Sequence, residues 1–190
     1  MSVQTVSPTT TAISLDAAKL HLRQSDTRDD HYITALIDVA TLSVEEFARR
    51  ALIHQTRRMD LPEFSDEIRT DYGTLVSASL ITYTTAGGTT STSLAATVFD
   101  VDTSDARILL AYDQTWPTTL QNKWNAVQIN YTVGFASSSS GVPANYKHAL
   151  KLMLDQFYDQ RSEFVVGTIV ATLPWGVKEL IRPTRNFRFV

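Results

Sequence analysis

The spacing of apolar residues changes period twice along the chain, and each change marks a boundary between element types. "SLDAAKLHLR" starts at Ser14, a residue suited to cap a helix, and places Leu15, Ala18 and Leu22 on one face. The next segment, "SDTRDDHYITALIDVATLSVEEFARRAL", opens with acidic and turn-forming residues that suit a helix N-terminus. Its Ile33, Leu36, Ile37, Ala40, Val44, Phe47, Ala48 and Ala51 recur at helical spacing. The pattern predicts a long amphipathic helix.

From about His54 the period falls toward two. "TRRMDL", "ASLITYTT", "ATVFDV" and "RILLAY" are short β-branched or aromatic runs separated by turn signals such as "AGGTT" and "WPTT". "AVQINYTV" alternates Val127, Ile129, Tyr131 and Val133 with Gln128, Asn130 and Thr132, which predicts a half-buried antiparallel strand. Residues 54–134 therefore read as an inserted small antiparallel β-sheet domain of four or five strands. Helical spacing returns after the connection "GFASSSSGVP", whose residues 135–142 read as a flexible linker and whose Pro143 suits a helix start. Tyr146, Ala149, Leu150, Met153, Leu154, Phe157 and Tyr158 form a second stripe, and Leu152 lies off it.

Neither long helix can bury its stripe alone, so the two are expected to pack on each other. The expected architecture is α+β: an antiparallel helical bundle from residues 14–53 and 143–181, the β-insertion, and an extended C-terminal arm over 182–190. Residues 1–13, "MSVQTVSPTTTAI", are polar and read as a flexible N-terminal segment, without the basic start and apolar run of a secretory signal.

One stretch stands apart. Phe164–Val177, "FVVGTIVATLPWGV", carries no charge over 14 residues. It is shorter than the roughly 18–20 apolar residues a membrane span needs, and Gly167, Pro174 and Gly176 interrupt it. It reads as an extended segment filling a groove of its own bundle or of a neighbouring subunit. Val165, Val166, Ile169, Val170, Leu173 and Trp175 are its expected contacts. "PWGVKELIRP" then predicts a short helix stopped by Pro183.

Composition narrows the chemistry. The chain is 43% hydrophobic, carries a formal net charge of −3 and contains no cysteine. There is thus no overall basic field to recruit nucleic acid or an anionic membrane, and no thiolate nucleophile or cysteine-based zinc site. His21, His31, His54 and His148 show no metal-ligand spacing. Asp26, Asp29 and Asp30 lack the glycine and final glutamate of an EF-hand and read as helix-start acids. Glu45 and Glu46 stand four residues before Arg49 and Arg50, the spacing of a solvated helix face. Arg49, Arg50, Arg57 and Arg58 lack interleaved aromatics and suit interface salt bridges better than a nucleic-acid site. No nucleotide-binding or nucleophile-elbow motif occurs. No catalytic residue, metal site or cofactor is expected.

The tail is different. Residues 178–190 hold Lys178, Arg182, Arg185 and Arg188 against Glu179, and Phe187, Phe189 and Val190 follow a strand-like alternation. A short arginine- and phenylalanine-rich end should be mobile in the free protein and order on a partner, for instance along a sheet edge.

These residues support a resemblance. "SLDAAKLHLR" followed by a helix ending "EEFARRALIHQTRRMDL" resembles the head–tail connector (adaptor, or head-completion) proteins of long-tailed bacteriophages and related gene transfer agents. "AYDQTWPTTLQNKWNAVQINYTVGF" and "VPANYKHALKLMLDQFYDQRSEFVVGTIVATLPWGVKELIRP" are similar to the second half of that family, so the likeness runs over about residues 14–183. It implies a structural virion protein at the head–tail interface, assembled in the host cytoplasm. It implies a homo-oligomeric, dodecameric ring docked on the portal protein, extending a channel for double-stranded DNA and receiving a stopper or tail-completion protein. The DNA would pass without sequence-specific binding, and no membrane is involved. Carried onto this chain, Arg182, Arg185, Phe187, Arg188, Phe189 and Val190 become the portal-binding arm. A different class of function is a carbohydrate- or receptor-binding module built on Tyr112, Trp116 and Trp124 of the β-domain.

Overall fold

The computed structural model describes residues 2–6, 8, 10–88, 91–120, 122–159 and 173–186, with side chains from Val6 onward. The chain divides into two units, Met1–Pro8 with His54–Gly134, and Thr9–Ile53 with Phe135–Val190. The fold is α+β.

The second unit is helical. Its elements are α1 (Leu15–Leu22), α2 (Asp30–Ala48), α3 (Ala144–Asp159) and α4 (Trp175–Ile181), with 3-10 turns at Ser139–Gly141 and Arg182–Thr184. The Ser14 hydroxyl accepts the Ala17 N–H at 3.3 Å and so caps α1. Tyr32, near the start of α2, donates its hydroxyl to the Phe157 carbonyl at 3.3 Å, and the Tyr158 hydroxyl donates to the Asp29 carboxylate. The start of α2 thus meets the end of α3, and the two helices run antiparallel. α1 packs against both, and α4 packs against α3.

Ile33, Ile37, Ala40 and Val44 of α2 face Tyr146, Ala149, Leu150, Met153 and Leu154 of α3 in one buried cluster, which Val177 and Ile181 of α4 complete. Each fully buried large side chain contributes about 1.5–3 kcal/mol, so this stripe-to-stripe contact is what holds the helices. Leu152, off the main stripe, also packs against the cluster, as do Leu22, Phe47 and Phe157.

The end of α2 departs from the expected solvated face. Glu45 is buried, and its carboxylate accepts the Leu52 backbone N–H at 2.6 Å. Arg49 adopts a left-handed backbone with φ 54°, and the Arg50 N–H reaches the Glu45 carbonyl at 3.2 Å. A non-glycine residue at that φ costs on the order of 1 kcal/mol. The inward-turned Glu45 satisfies a backbone donor that the turn would otherwise bury unpaired.

The acidic run is also used differently. Asp29 sits at the N-cap position without a side-chain cap bond, Asp30 pairs with Lys19 Nζ at 2.6 Å, and Asp26 accepts the Arg28 N–H at 3.1 Å. These carboxylates tie the α1–α2 loop and the helix ends together. Among the described residues, no three or more His, Asp or Glu side chains gather in a way that could hold a metal ion.

Residues 135–142 are built into the helical unit, contrary to the flexible linker expected. Phe135 packs on Tyr146 with ring centroids 5.3 Å apart, Ala136 bridges to Ile53, and Val142 is buried. Thr10 donates to the Ser137 carbonyl at 3.1 Å, and Lys147 Nζ to the Ser140 carbonyl at 3.0 Å. Serine-rich composition signalled a loop, while the contacts that fix it come from elsewhere in the chain.

The first unit is a β-structure of two antiparallel sheets. Its strands are β1 (Ser2–Val6), β2 (Gln55–Leu61), β3 (Glu67–Arg69), β4 (Leu75–Thr84), β5 (Ser91–Ser93), β6 (Phe99–Asp102), β7 (Arg107–Leu110) and β8 (Val127–Val133). Five form a sheet in the order β1-β2-β8-β4-β5, and three form a second in the order β3-β7-β6. β8 comes last in sequence yet lies central, with Val127, Ile129, Tyr131 and Val133 buried. The alternation seen in the sequence is therefore the register of the sheet. Ile129 pairs with Met59 on one side and with Ile81 on the other. Two bulges in β4, after Leu75 and after Ala78, place Val76 and Leu80 at the surface.

Residues 1–13 are not one flexible segment. Ser2–Val6 pairs with β2, setting Ser2 opposite Met59 and Val6 opposite Thr56. Ala12 and Ile13 belong to the helical core. The strand lies at the sheet edge, where its backbone pairs with β2 alone.

Candidate assembly surface

The root of the C-terminal segment is held by several hydrogen bonds with the ends of α2 and α3. Arg50 Nε donates to the Thr184 carbonyl at 2.7 Å, and the Tyr146 hydroxyl donates to the same oxygen at 3.3 Å. Asn145 Nδ2 reaches both the Leu180 carbonyl and Thr184 Oγ1 at 3.3 Å. Beyond it, the Asn186 N–H donates to the Ala48 carbonyl at 2.9 Å, and the Arg185 guanidinium lies 4.8 Å from the Phe47 ring centroid. Burial pushes the Tyr146 phenol above its ordinary pKa, against the opposing effects of the Thr184 hydrogen bond and nearby Arg50, so it stays a donor at neutral pH.

Arg182 through Asn186 therefore belong to the helical unit, which corrects the expectation that the whole arm is mobile. A short 3-10 turn containing Pro183 brings Thr184 back over the ends of α2 and α3, and those ends carry the matching donors. Arg182 keeps an exposed side chain, 3.5 Å from Glu179 in an i, i+3 pair. Phe187, Arg188, Phe189 and Val190 lie outside the described residues, as do Val165, Val166, Ile169 and Val170. Of the remaining contacts expected in the uncharged stretch, Leu173 packs against the helical core, while Trp175 is 78% exposed at the start of α4.

A second exposed apolar feature escaped the sequence reading. On α2, Val39 is 52% and Leu42 is 63% exposed, although both are large and apolar. With Ala35, Asp38 and Glu46 they form one row on the side of the helix away from its buried stripe. The signal was present as two apolar residues off the helical stripe. The core pattern drew attention to the opposite face.

The arginine group is dispersed. Arg57 is buried with its guanidinium 3.8 Å from the Tyr72 ring centroid, and Arg58 Nε stands 3.4 Å from Asp60. Arg50 holds the C-terminal root, and Arg49 supplies the left-handed turn. Among the histidines, His21 Nε2 lies 3.7 Å from Asp155, while His31 and His148 are exposed.

The β-domain carries its own charge cluster. Arg107 Nε bonds Asp102 at 2.9 Å, its Nη1 reaches Glu67 at 3.2 Å and its Nη2 reaches Asp105 at 3.2 Å. Arg69 also contacts Glu67, at 2.9 Å. Hydrogen bonds from Ser104 and then Arg107 hold the Asp102 carboxyl far below the usual carboxylate range. The cluster clamps β3 and β6 onto β7 and shapes the turn between β6 and β7.

Tyr112, Trp116 and Trp124 do not form one binding platform. Trp116 stacks face to face on Phe64 at 4.7 Å, and Tyr83 meets Phe64 edge-on at 5.9 Å. Trp116 is thus an internal anchor. Tyr112 is 97% and Trp124 71% exposed. Only Trp124 lines the open cleft of about 510 Å³ formed with Pro62, Glu63, Thr119, Leu120 and Lys123.

A model of phage gp6-like head–tail connector proteins matches residues 12–112, just over half of the chain. No curated protein matches the sequence. Among solved structures, a chain in the neck of an empty gene transfer agent particle, computed with C6 symmetry, superposes with a TM-score of 0.79 at 23% identity. A chain in the virion of a native gene transfer agent particle gives the same TM-score and identity. A chain in the native particle's neck, computed with C12 symmetry, gives 0.74 at 24% identity. Each comparison covers 100% of this chain and 97% of the other. No helix among the described residues is long and apolar enough to cross a membrane.

Proposed function

The chain belongs to the phage gp6-like head–tail connector family, and from that premise we propose that it forms a dodecameric ring on the portal. The ring extends the DNA channel and receives the stopper or tail-completion protein. It is assembled in the host cytoplasm and acts without enzymatic activity. The observation that carries this reading is the full-length likeness to a neck chain from a particle computed with C12 symmetry.

Two features give the proposal its parts. The C-terminal residues from Phe187 to Val190 serve as the portal-binding arm, with Arg182 and Arg185 at its root. Arg50, Asn145, Tyr146 and Ala48 fix where that arm leaves the helical unit. The uncharged stretch supplies inter-subunit or groove contacts through Val165, Val166, Ile169, Val170, Leu173 and Trp175. A conducting channel works best without strong phosphate attraction, and a net charge of −3 is compatible with that.

The test is electron microscopy of the full chain mixed with portal rings from the same particle. Twelve-fold density seated on the portal is the expected result. Portal rings that remain bare at saturating protein concentration would refute the docking role.

A further inference from the structure

We infer that the outward face of α2 is the surface onto which the Trp175 end of α4 from a neighbouring copy docks. The inference rests on the ring reading above and specifies the contact that closes the ring.

A ring contact is heterologous, so one subunit must present two different, complementary patches. The helical unit has two suitable ones. On α2, Ala35, Val39 and Leu42 make an apolar row flanked by exposed Asp38 and Glu46, and the helix from Asp30 to Ala48 contains no lysine or arginine. On α4, Trp175 is 78% exposed and shares a helix face with Lys178 and Arg182, at spacings of three and seven residues. One patch is apolar with an acidic border. The other is a tryptophan with a basic border.

The patches are also placed for head-to-tail use. α2 and α4 each pack against α3 through their buried residues, while Val39, Leu42 and Trp175 stay exposed and open to a neighbouring copy. Tryptophan is the residue type most often found to anchor an interface, inserted among apolar groups and ringed by polar ones. The flanking charges would set register and disfavour pairing of like patches, since two α2 faces repel each other.

The chain has no cysteine, so labelled positions are unambiguous. Two single variants beside the contact, Ala35→Cys and Glu179→Cys, which leave Leu42 and Trp175 in place, are mixed, assembled on portal rings and treated with a short bis-maleimide. Both positions are exposed, and circular dichroism checks that each variant keeps its fold. The expected product is a covalent dimer containing one of each variant, with much less from either variant alone. In a second arm, Leu42→Glu should lower ring occupancy about tenfold or more while the far-ultraviolet spectrum stays unchanged. Rings visible by microscopy without the mixed cross-link would overturn the α2–α4 contact and leave the ring reading intact. Absence of both rings and cross-link overturns the two together.

Discussion

The Asn186 N–H donates to the Ala48 carbonyl at 2.9 Å, which ties the last described residue of the chain to the final residue of α2. A C-terminal segment that looks free in the sequence is therefore anchored to its own helical unit. The anchor divides the tail into a root, Arg182–Asn186, and an end beginning at Phe187.

This division predicts that two truncations behave differently. Removing residues 187–190 should leave the melting temperature nearly unchanged and abolish portal docking in a pull-down. Removing 182–190 also deletes the carbonyl bound by Arg50 and Tyr146, so the melting temperature should fall as well. Normal docking by the shorter truncation would show that the arm lies elsewhere.

Arg50→Ala tests the root by itself. A hydrogen bond from a charged donor to a carbonyl is worth about 1 kcal/mol at a partly exposed site. Amide exchange at Arg185 and Asn186 should then quicken roughly fivefold, while protection within α3 persists. Unchanged exchange at those amides would show that Asn145 and Tyr146 suffice.

Core truncation should act on the helical unit. Leu150 is fully buried, so Leu150→Ala leaves a cavity and should cost about 2–5 kcal/mol. Denaturant unfolding followed by circular dichroism measures it. A loss well under 1 kcal/mol would contradict the packing described for α2 and α3.

The charge cluster around Arg107 predicts a pH effect with a definite sign. Asp102 and Glu67 both titrate lower when folded than their ordinary values of 3.8 and 4.5. A depressed folded pKa gives stability that is present above the unfolded value and is lost as pH falls toward the folded one. Stability should therefore hold from neutral pH to about 4.5 and decline below it. Arg107→Gln should flatten that decline, and added salt should weaken it in the wild type because the groups are solvent-accessible. Parallel acid profiles for both proteins at low salt would refute the clamp.

The aromatic residues of the β-domain give a negative control. Because Trp116 is stacked on Phe64 and Tyr112 does not line the cleft beside Trp124, no shared aromatic platform is set for a sugar ring, and added oligosaccharides should leave tryptophan emission unchanged. Saturable quenching that disappears in Trp124→Ala would instead locate a ligand in the cleft beside Lys123.

Much of the fold was legible because periodicity is a local property. The spacing of Ile33, Ile37, Ala40 and Val44 specified the buried side of α2, and the alternation from Val127 to Val133 specified β8. The same locality hid the rest. Ser2–Val6 has no pattern of its own, and its order comes from backbone pairing with β2, whose partner residues lie 50 to 57 positions further along the chain. Glu45 and Glu46 look equivalent in sequence, yet one accepts the Leu52 N–H and the other faces solvent. The apolar and basic characters of Trp175 and Arg182 were visible in the chain, but the anchoring of Thr184 depended on where α2 and α3 end. Sequence by itself determined which residues must leave water and in what period. Only the tertiary structure decided which polar groups meet, because hydrogen-bond partners distant in sequence become neighbours only after the helices and sheets have packed.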